Sequence, residues 1–331
     1  IMGNTNGAGE DCRNVARFAS LRAGMPTTVA GLTVNRLCGS GLAATLDAAR
    51  GVKAGEGELF LAGGVESMSR APIVMSKAHT AFDRGQQIAD STLGARFTNP
   101  AYAAEFGNDT MPQTADNIAS DLDISREDSD VFAAASQAKY EAARADGFFK
   151  DEIVAIDVPQ GRKKPDRRVD ADEHPRPSST IEALAGLRSL FADGVVTAGS
   201  ASGINDGAAA LIVGSAAIGE KYSVKPRVRI IAGAVAGVEP RVMGLGPVFA
   251  IRKALARANL ELKDMDIIEI NEAFSAQVLG CLKTAPYTHL RAHETKANLV
   301  CRLLLEKKKH RRHLRFPHPH HPHSSQPGLP P

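Results

Sequence analysis

The stretch TTVAGLTVNRLCGSGLAATLDAARGVKAGEGELFLAGGVESMSR, residues 27–70, reads as strand, sharp turn, helix and strand. One cysteine, Cys38, stands where the first strand meets the helix. Val29, Leu32 and Val34 mark the incoming strand, and Gly39, Ser40 and Gly41 let the backbone turn tightly and another molecule approach. The helix carries Leu42, Thr45, Leu46, Ala49 and Val52 at helical spacing, a stripe expected to face the core. A free thiol has a pKa of about 8.5, whereas a helix N-terminus presents unpaired N–H groups and partial positive charge that favour a thiolate. Two readings of Cys38 stand side by side. A lone cysteine in a reducing compartment is more commonly a buried structural residue, while the crowd of small residues and the strand-to-helix elbow, used also by serine hydrolases, point to a nucleophile.

The chain has 331 residues, enough for two domains and a large core. No apolar run approaches the length of a membrane span and no signal peptide opens the chain, so a membrane partner is not expected. Four cysteines at irregular spacing (Cys12, Cys38, Cys281 and Cys301) form neither a disulfide framework nor a zinc pattern, which fits a cytoplasmic location and no metal. The net charge of +3 is uneven. Residues 283–331 hold ten Lys/Arg against two Asp/Glu, net +8, leaving 30 against 35, net −5, for the first 282 residues. The same segment holds eight of the ten histidines. The basic character therefore belongs to the tail and says nothing about partners of the body.

Further along, residues 13–23 read as a short helix with Val15, Ala16, Phe18 and Ala19 inward. Residues 69–112 show no sustained period, as a functional loop or covering segment does. A helix is expected over 112–121, and a second from the capping box at Ser125 to a stop at Gly147. GRKKPDRR (161–168) reads as a solvated charged turn, and Ser179 with Glu182 as a second capping box before IEALAGL. Residues 195–214 give a tight Gly/Ser/Asn turn beside a buried strand, and 227–237 another strand. Residues 247–259 form a helix, and 265–270 a strand that ends at Asn271 and enters the helix AFSAQVLGCL. This second strand, polar turn and helix has the shape of the Cys38 unit. From residue 283 the chain is basic and His/Pro-rich, with at most a short helix over 297–309, and is expected to be disordered.

NRLCGSGLAA, LAGGVESMSRAP, VTAGSASGINDGAAALI, PRVMGLGP and IIEINEAFSAQ occur in the order found in thiolases, which make or break 3-oxoacyl-CoA thioesters, and residues 3 to about 282 resemble that family. The resemblance implies an α/β, layered α-β-α-β-α fold with two related halves: an N-terminal domain over 1–218 with a covering segment inserted over about 73–194, and part of a C-terminal domain over 219–282. It also implies that the chain begins beyond the family's opening strand and helix, leaving one sheet edge a strand short. GEDCRNVAR, GGVESMSRAPIVM and TLGARFTNP resemble the thiolases that act on 3-oxoadipyl-CoA; acetoacetyl-CoA or general 3-oxoacyl-CoA cleavage is the alternative.

By that resemblance Cys38 is acylated and passes its acyl group to CoA, a co-substrate, with no permanently bound cofactor. Asn271 orients a water toward the thioester oxygen, unless it is only a helix N-cap. Ser202 bonds the pantetheine arm, and Ala198, Gly203, Phe191, Met111, Ala273 and Phe274 supply surface; a plain turn and core packing are the alternatives. Arg70 and Arg13 could meet a terminal carboxylate. The family's Gly-His-Pro and Cys-x-Gly motifs have no counterpart, so impaired activity is expected, and the change near residue 283 reads as a shifted frame, an aberrant exon or a mis-joined end. The family implies a dimer or tetramer. A reading from another class is a non-catalytic CoA-binding or interaction protein whose basic cluster, residues 307–315, contacts nucleic acid or an acidic surface, although the shortage of interleaved aromatics, Phe316 apart, argues against nucleic acid. Cys301, His310 and His313 lack a second ligand pair.

Overall fold

A four-stranded sheet carries the cysteine turn. The structure, a computed structural model, describes residues 1–162 and 164–285. In chain order, β1 (Met2–Gly3) leads to α1 (Val15–Arg22), β2 (Thr33–Val34), α2 (Ser40–Ala54) and β3 (Leu59–Glu66). β1 runs parallel to β2 and β3, with Met2 opposite Thr33 on one side and Gly63 on the other. Parallel neighbours need crossovers, and α1 and α2 belong to them.

Close approach decides which helix faces are buried. A Cβ on Gly3 would lie 2.3 Å from the carbonyl carbon of Ser40, so the first turn of α2 rests directly on β1. The Phe60 ring likewise fills the space over Gly51. Only small residues fit there, and α2 buries Ser40, Ala44, Ala48, Ala49 and Gly51. Of the expected stripe only Ala49 is buried, and Leu42 is 51 % exposed. α1 behaves the same way: Ala16 is buried where the helix backbone meets Gly31, while Phe18 and Ala19, expected inward, face out.

The chain then leaves the sheet. β4 (Ile73–Met75) and β5 (Ile88–Asp90) make a hairpin, followed by α3 (Pro100–Phe106), α4 (Met111–Asp121) and α5 (Arg126–Ala145). The stretch expected to be irregular thus contains regular structure, in strands too short to show a period. Ser125 and Asp128 cap α5 reciprocally, and Gly147 ends the segment at φ +75°. β6 (Ile156–Val158) pairs with β7 (Arg167–Val169), which takes in the end of the charged run. α6 (Ile181–Ala185) is capped by Thr180, whose hydroxyl accepts from Ala183 N–H, one residue later than the expected box at Ser179.

β8 (Gly207–Gly214) returns to the sheet antiparallel to β3, from Leu59 opposite Gly214 to Glu66 opposite Gly207. It was expected to be buried, yet as an edge strand it is exposed along almost its whole length. α7 (Ala216–Lys221), α8 (Gly246–Ala258) and α9 (Ser275–Thr284) follow, with Asn259 in the left-handed conformation closing α8. Residues 227–237 and 265–270, expected as strands, join no ladder among the described residues. A strand is defined by hydrogen bonds to a neighbour, and neither segment has that neighbour there.

A second core joins α4, α5 and α9. Ile118 is fully buried among Ala119, Ile124 and Ala276, with Leu122, Leu245 and Leu279 around it. Gly244 and Gly280 admit its branches, since a Cβ on Gly280 would lie 2.4 Å from Ile118 Cγ2. The helix considered over 297–309, the basic cluster and Cys301, His310 and His313 lie outside the described residues.

Candidate active site

Cys38 is exposed at the end of the β2–α2 connection, which removes the buried structural reading. Leu37 before it sits at φ +48°, in the left-handed region. A non-glycine residue there costs about 1 kcal/mol or more. The Leu37 side chain is 65 % exposed, so packing does not offset that cost. Hydrogen bonds hold the turn from both sides. Leu37 N–H donates to Asn35 Oδ1 at 2.9 Å, while the buried Ser40 hydroxyl donates to Leu37 C=O at 2.6 Å and accepts from Arg36 N–H at 2.7 Å. α2 starts two residues after Cys38, with Gly39 as N-cap and no acidic residue in its first turn, so no carboxylate there offsets the positive end of the helix.

A second group of predicted residues meets on the other core. Ser202 N–H donates to Ala273 C=O and Ser275 N–H to Ser200 C=O, each at 2.9 Å, while Ala201 bridges Phe274. Ser202, Ala273 and Phe274 are thereby brought onto one seam, with Gly203 next to Ser202 and Ala198 four residues before it. Phe274 is buried with Ala115 and Val196. Ala198, Ser202 and Gly203 are exposed, and the His174 imidazole lies over Gly203, 2.5 Å from where a Cβ would stand. Met111, one turn before Ala115 on α4, and Phe191, in the loop that returns to Val196 through Leu190, are both partly exposed at the rim. Asp116 anchors that loop by accepting from Val195 and Val196 N–H at 2.8 and 3.0 Å.

Asn271 is exposed just before this seam. It is not the N-cap of α9; that position is Phe274, which has no capping side chain. Among the described residues no hydrogen bond joins the Cys38 turn to residues 271–275. Glu272 fixes the Asn271 turn, because Ser136 Oγ donates to its Oε2 at 2.5 Å. Burial pushes the Glu272 carboxyl above the ordinary carboxylate range, with the Ser136 hydrogen bond and Lys139 opposing. Sequence reading singled out neither Glu272 nor His174, although Glu272 lies within the Asn-Glu-Ala-Phe run that marks Asn271.

Cys281 and Arg70 are engaged elsewhere among the described residues. Cys281 is buried, donates to Gly244 C=O at 3.2 Å and has its thiol pushed up to about 11 by burial, which leaves it inert. Arg70 is held by Glu10 in an exposed bidentate pair at 2.8 and 2.6 Å. Among the described residues no group of three or more His, Cys, Asp or Glu is placed to hold a metal, and no helix is long and apolar enough to cross a membrane.

An exposed cysteine thus stands on a strained elbow between a mixed sheet and a helix N-terminus. The family model for the thiolase N-terminal domain matches residues 1–217 and that for the thiolase C-terminal domain matches residues 224–300, and the chain belongs to the thiolase family. It is an acyl-CoA acyltransferase with the α/β thiolase fold. It is 55 % identical over 284 residues to the 3-oxoadipyl-CoA/3-oxo-5,6-dehydrosuberyl-CoA thiolase of Escherichia coli strain K12, covering 86 % of this chain and 71 % of that one. To the beta-ketoadipyl-CoA thiolase of Acinetobacter baylyi it is 54 % identical, with the same two coverages. Among solved structures, human mitochondrial 3-ketoacyl-CoA thiolase in complex with CoA superposes with a TM-score of 0.76 at 39 % identity, covering 86 % of this chain and 69 % of that one.

Proposed function

We propose that this protein cleaves 3-oxoadipyl-CoA by thiolysis. The Cys38 thiolate attacks the C3 carbonyl carbon, and the C2–C3 bond breaks. Its electron pair leaves on the thioester enolate, which takes a proton to become acetyl-CoA, and Cys38 is left carrying a succinyl group. The sulfur of free CoA then attacks that thioester and releases succinyl-CoA and the thiol. Asn271 holds a water against the thioester oxygen, and Ser202, Gly203, Ala198, Phe191, Met111, Ala273 and Phe274 receive the pantetheine arm.

The observation that carries this reading is the exposed Cys38 on its strained turn, in a chain 55 % identical to a thiolase of that specificity. The 43 % identical acetyl-CoA acetyltransferase of Allochromatium vinosum favours acetoacetyl-CoA as the second candidate. Incubation with 3-oxoadipyl-CoA, then with acetoacetyl-CoA, without free CoA, tests the choice: peptide mass mapping should find a succinyl group on Cys38 after the first and little acetyl after the second. Acetylation faster than succinylation reverses the assignment.

We infer the domain division 1–218, with residues of about 73–194 inserted, and 219–282; the departure of the chain from the sheet after Glu66 and its return at Gly207 support the insertion. A cytoplasmic homo-oligomer is the assembly and location proposed.

A further inference from the structure

We propose that Asn35, Ser40 and Glu66 form a positioning device that holds the backbone under Cys38, an inference that rests on Cys38 being the nucleophile. The device has two arms. Asn35 uses both ends of its amide: Oδ1 accepts from Leu37 N–H at 2.9 Å, and Nδ2 donates to Thr5 C=O at 3.1 Å. Thr5 is in turn fixed by Glu66 at the end of β3, whose Oε2 accepts from Thr5 N–H at 2.7 Å and from its hydroxyl at 2.5 Å, while Oε1 accepts from Asn6 N–H at 3.1 Å. A carboxylate on the central strand thus reaches the residue before the cysteine through one loop and one amide. The second arm is the Ser40 hydroxyl, which ties Leu37 C=O to Arg36 N–H from inside α2.

The reason for two arms is the conformation of Leu37. Its positive φ is disfavoured, its exposed side chain gains nothing from packing, and the residues that tie it down are the only hydrogen-bonding side chains on it among the described residues. Release of either arm lets Leu37 relax, which turns Cys38 away from the end of α2. Asn35, Ser40 and Glu66 touch neither substrate nor sulfur in this scheme; they act through Leu37.

The test uses the full chain and iodoacetamide, with alkylation resolved by peptide mass mapping so that exposed Cys12 serves as an internal reference. Asn35→Ala should slow alkylation of Cys38 roughly tenfold, a part of the hundredfold or so that misplacement by about an ångström can cost, and leave Cys12 unchanged. Leu37→Gly added to Asn35→Ala should restore most of the rate, since glycine adopts the left-handed region without strain. A merely structural role for Asn35 predicts a lowered melting temperature that Leu37→Gly does not repair. Unchanged Cys38 reactivity in Asn35→Ala, or a loss that Leu37→Gly leaves in place, overturns the positioning device while the nucleophile reading stands. Wild-type Cys38 reacting no faster than Cys12 overturns both.

Discussion

Two polar turns in this molecule feed a helix, and they are built differently. The turn at Cys38 follows a paired strand, carries a strained residue and is tied on both sides by side-chain hydrogen bonds. The turn at Asn271 follows a segment in no ladder among the described residues and is held instead by Glu272 on Ser136 and by the backbone seam between 200–202 and 273–275. Under the proposed function, reactivity goes with the first arrangement, because a nucleophile must be aimed, and support for a bound chain with the second, which presents a short exposed edge above a packed core. The similarity visible in sequence is therefore one of outline, and the two turns should respond differently to substitution.

The largest separation comes from Cys38→Ala. It should abolish acylation, a loss of more than about 10³-fold in single-turnover succinylation, with no change in the melting temperature because the side chain is exposed. Ile118→Ala attacks the other region: burial is complete there, and the loss of a fully packed side chain costs about 2–5 kcal/mol, read by urea denaturation, while native-state alkylation of Cys38 proceeds at the wild-type rate. Asn271→Ala is expected to cost about 3 kcal/mol of transition-state stabilisation, seen as lowered kcat with little change in KM and none in stability. If it instead raises KM alone, Asn271 belongs to the binding seam.

The smallest effect is at Glu272. Its carboxyl is raised above the value of 4.5 by burial, so the protonated form is the one that folding favours. That contribution is fully present below the unfolded value and is lost as pH rises through the folded one. Glu272→Gln, which keeps an acceptor for Ser136, should then be no less stable than wild type at neutral pH and should flatten the loss of stability as pH rises above 4.5. Urea midpoints across that range check it; a variant that loses stability chiefly at neutral pH would show that the ionised carboxylate is the stabilising form.

Much of the local structure was legible in the residues. The Ser125 cap, the Gly147 stop and the helices over 111–121 and 246–258 follow from backbone chemistry confined to a few neighbours. Cys38 was legible for the same reason, since glycines and a helix start within three residues define an elbow. The inward faces of α1 and α2 were not. Hydrophobicity ranks Phe18 and Leu42 above alanine, but the backbones at Gly31 and Gly3 come too close for large side chains. The strands expected at 227–237 and 265–270 failed because apolar pattern reports the wish to be covered, not the presence of a partner. The backbone seam was assembled from pieces 71 residues apart in sequence, Ser202 against Ala273, which resemblance could suggest and spacing could not.

By itself, then, the order of residues determined where helices begin and end and which thiol stands at a helix mouth, since those depend on interactions between near neighbours. Only the tertiary structure decided which helix faces are inward, which extended segments become strands, and how Glu66, through Thr5 and Asn35, reaches the turn beneath Cys38. Those outcomes depend on contacts between segments distant along the chain, where close packing of backbones outweighs the preference of any single side chain.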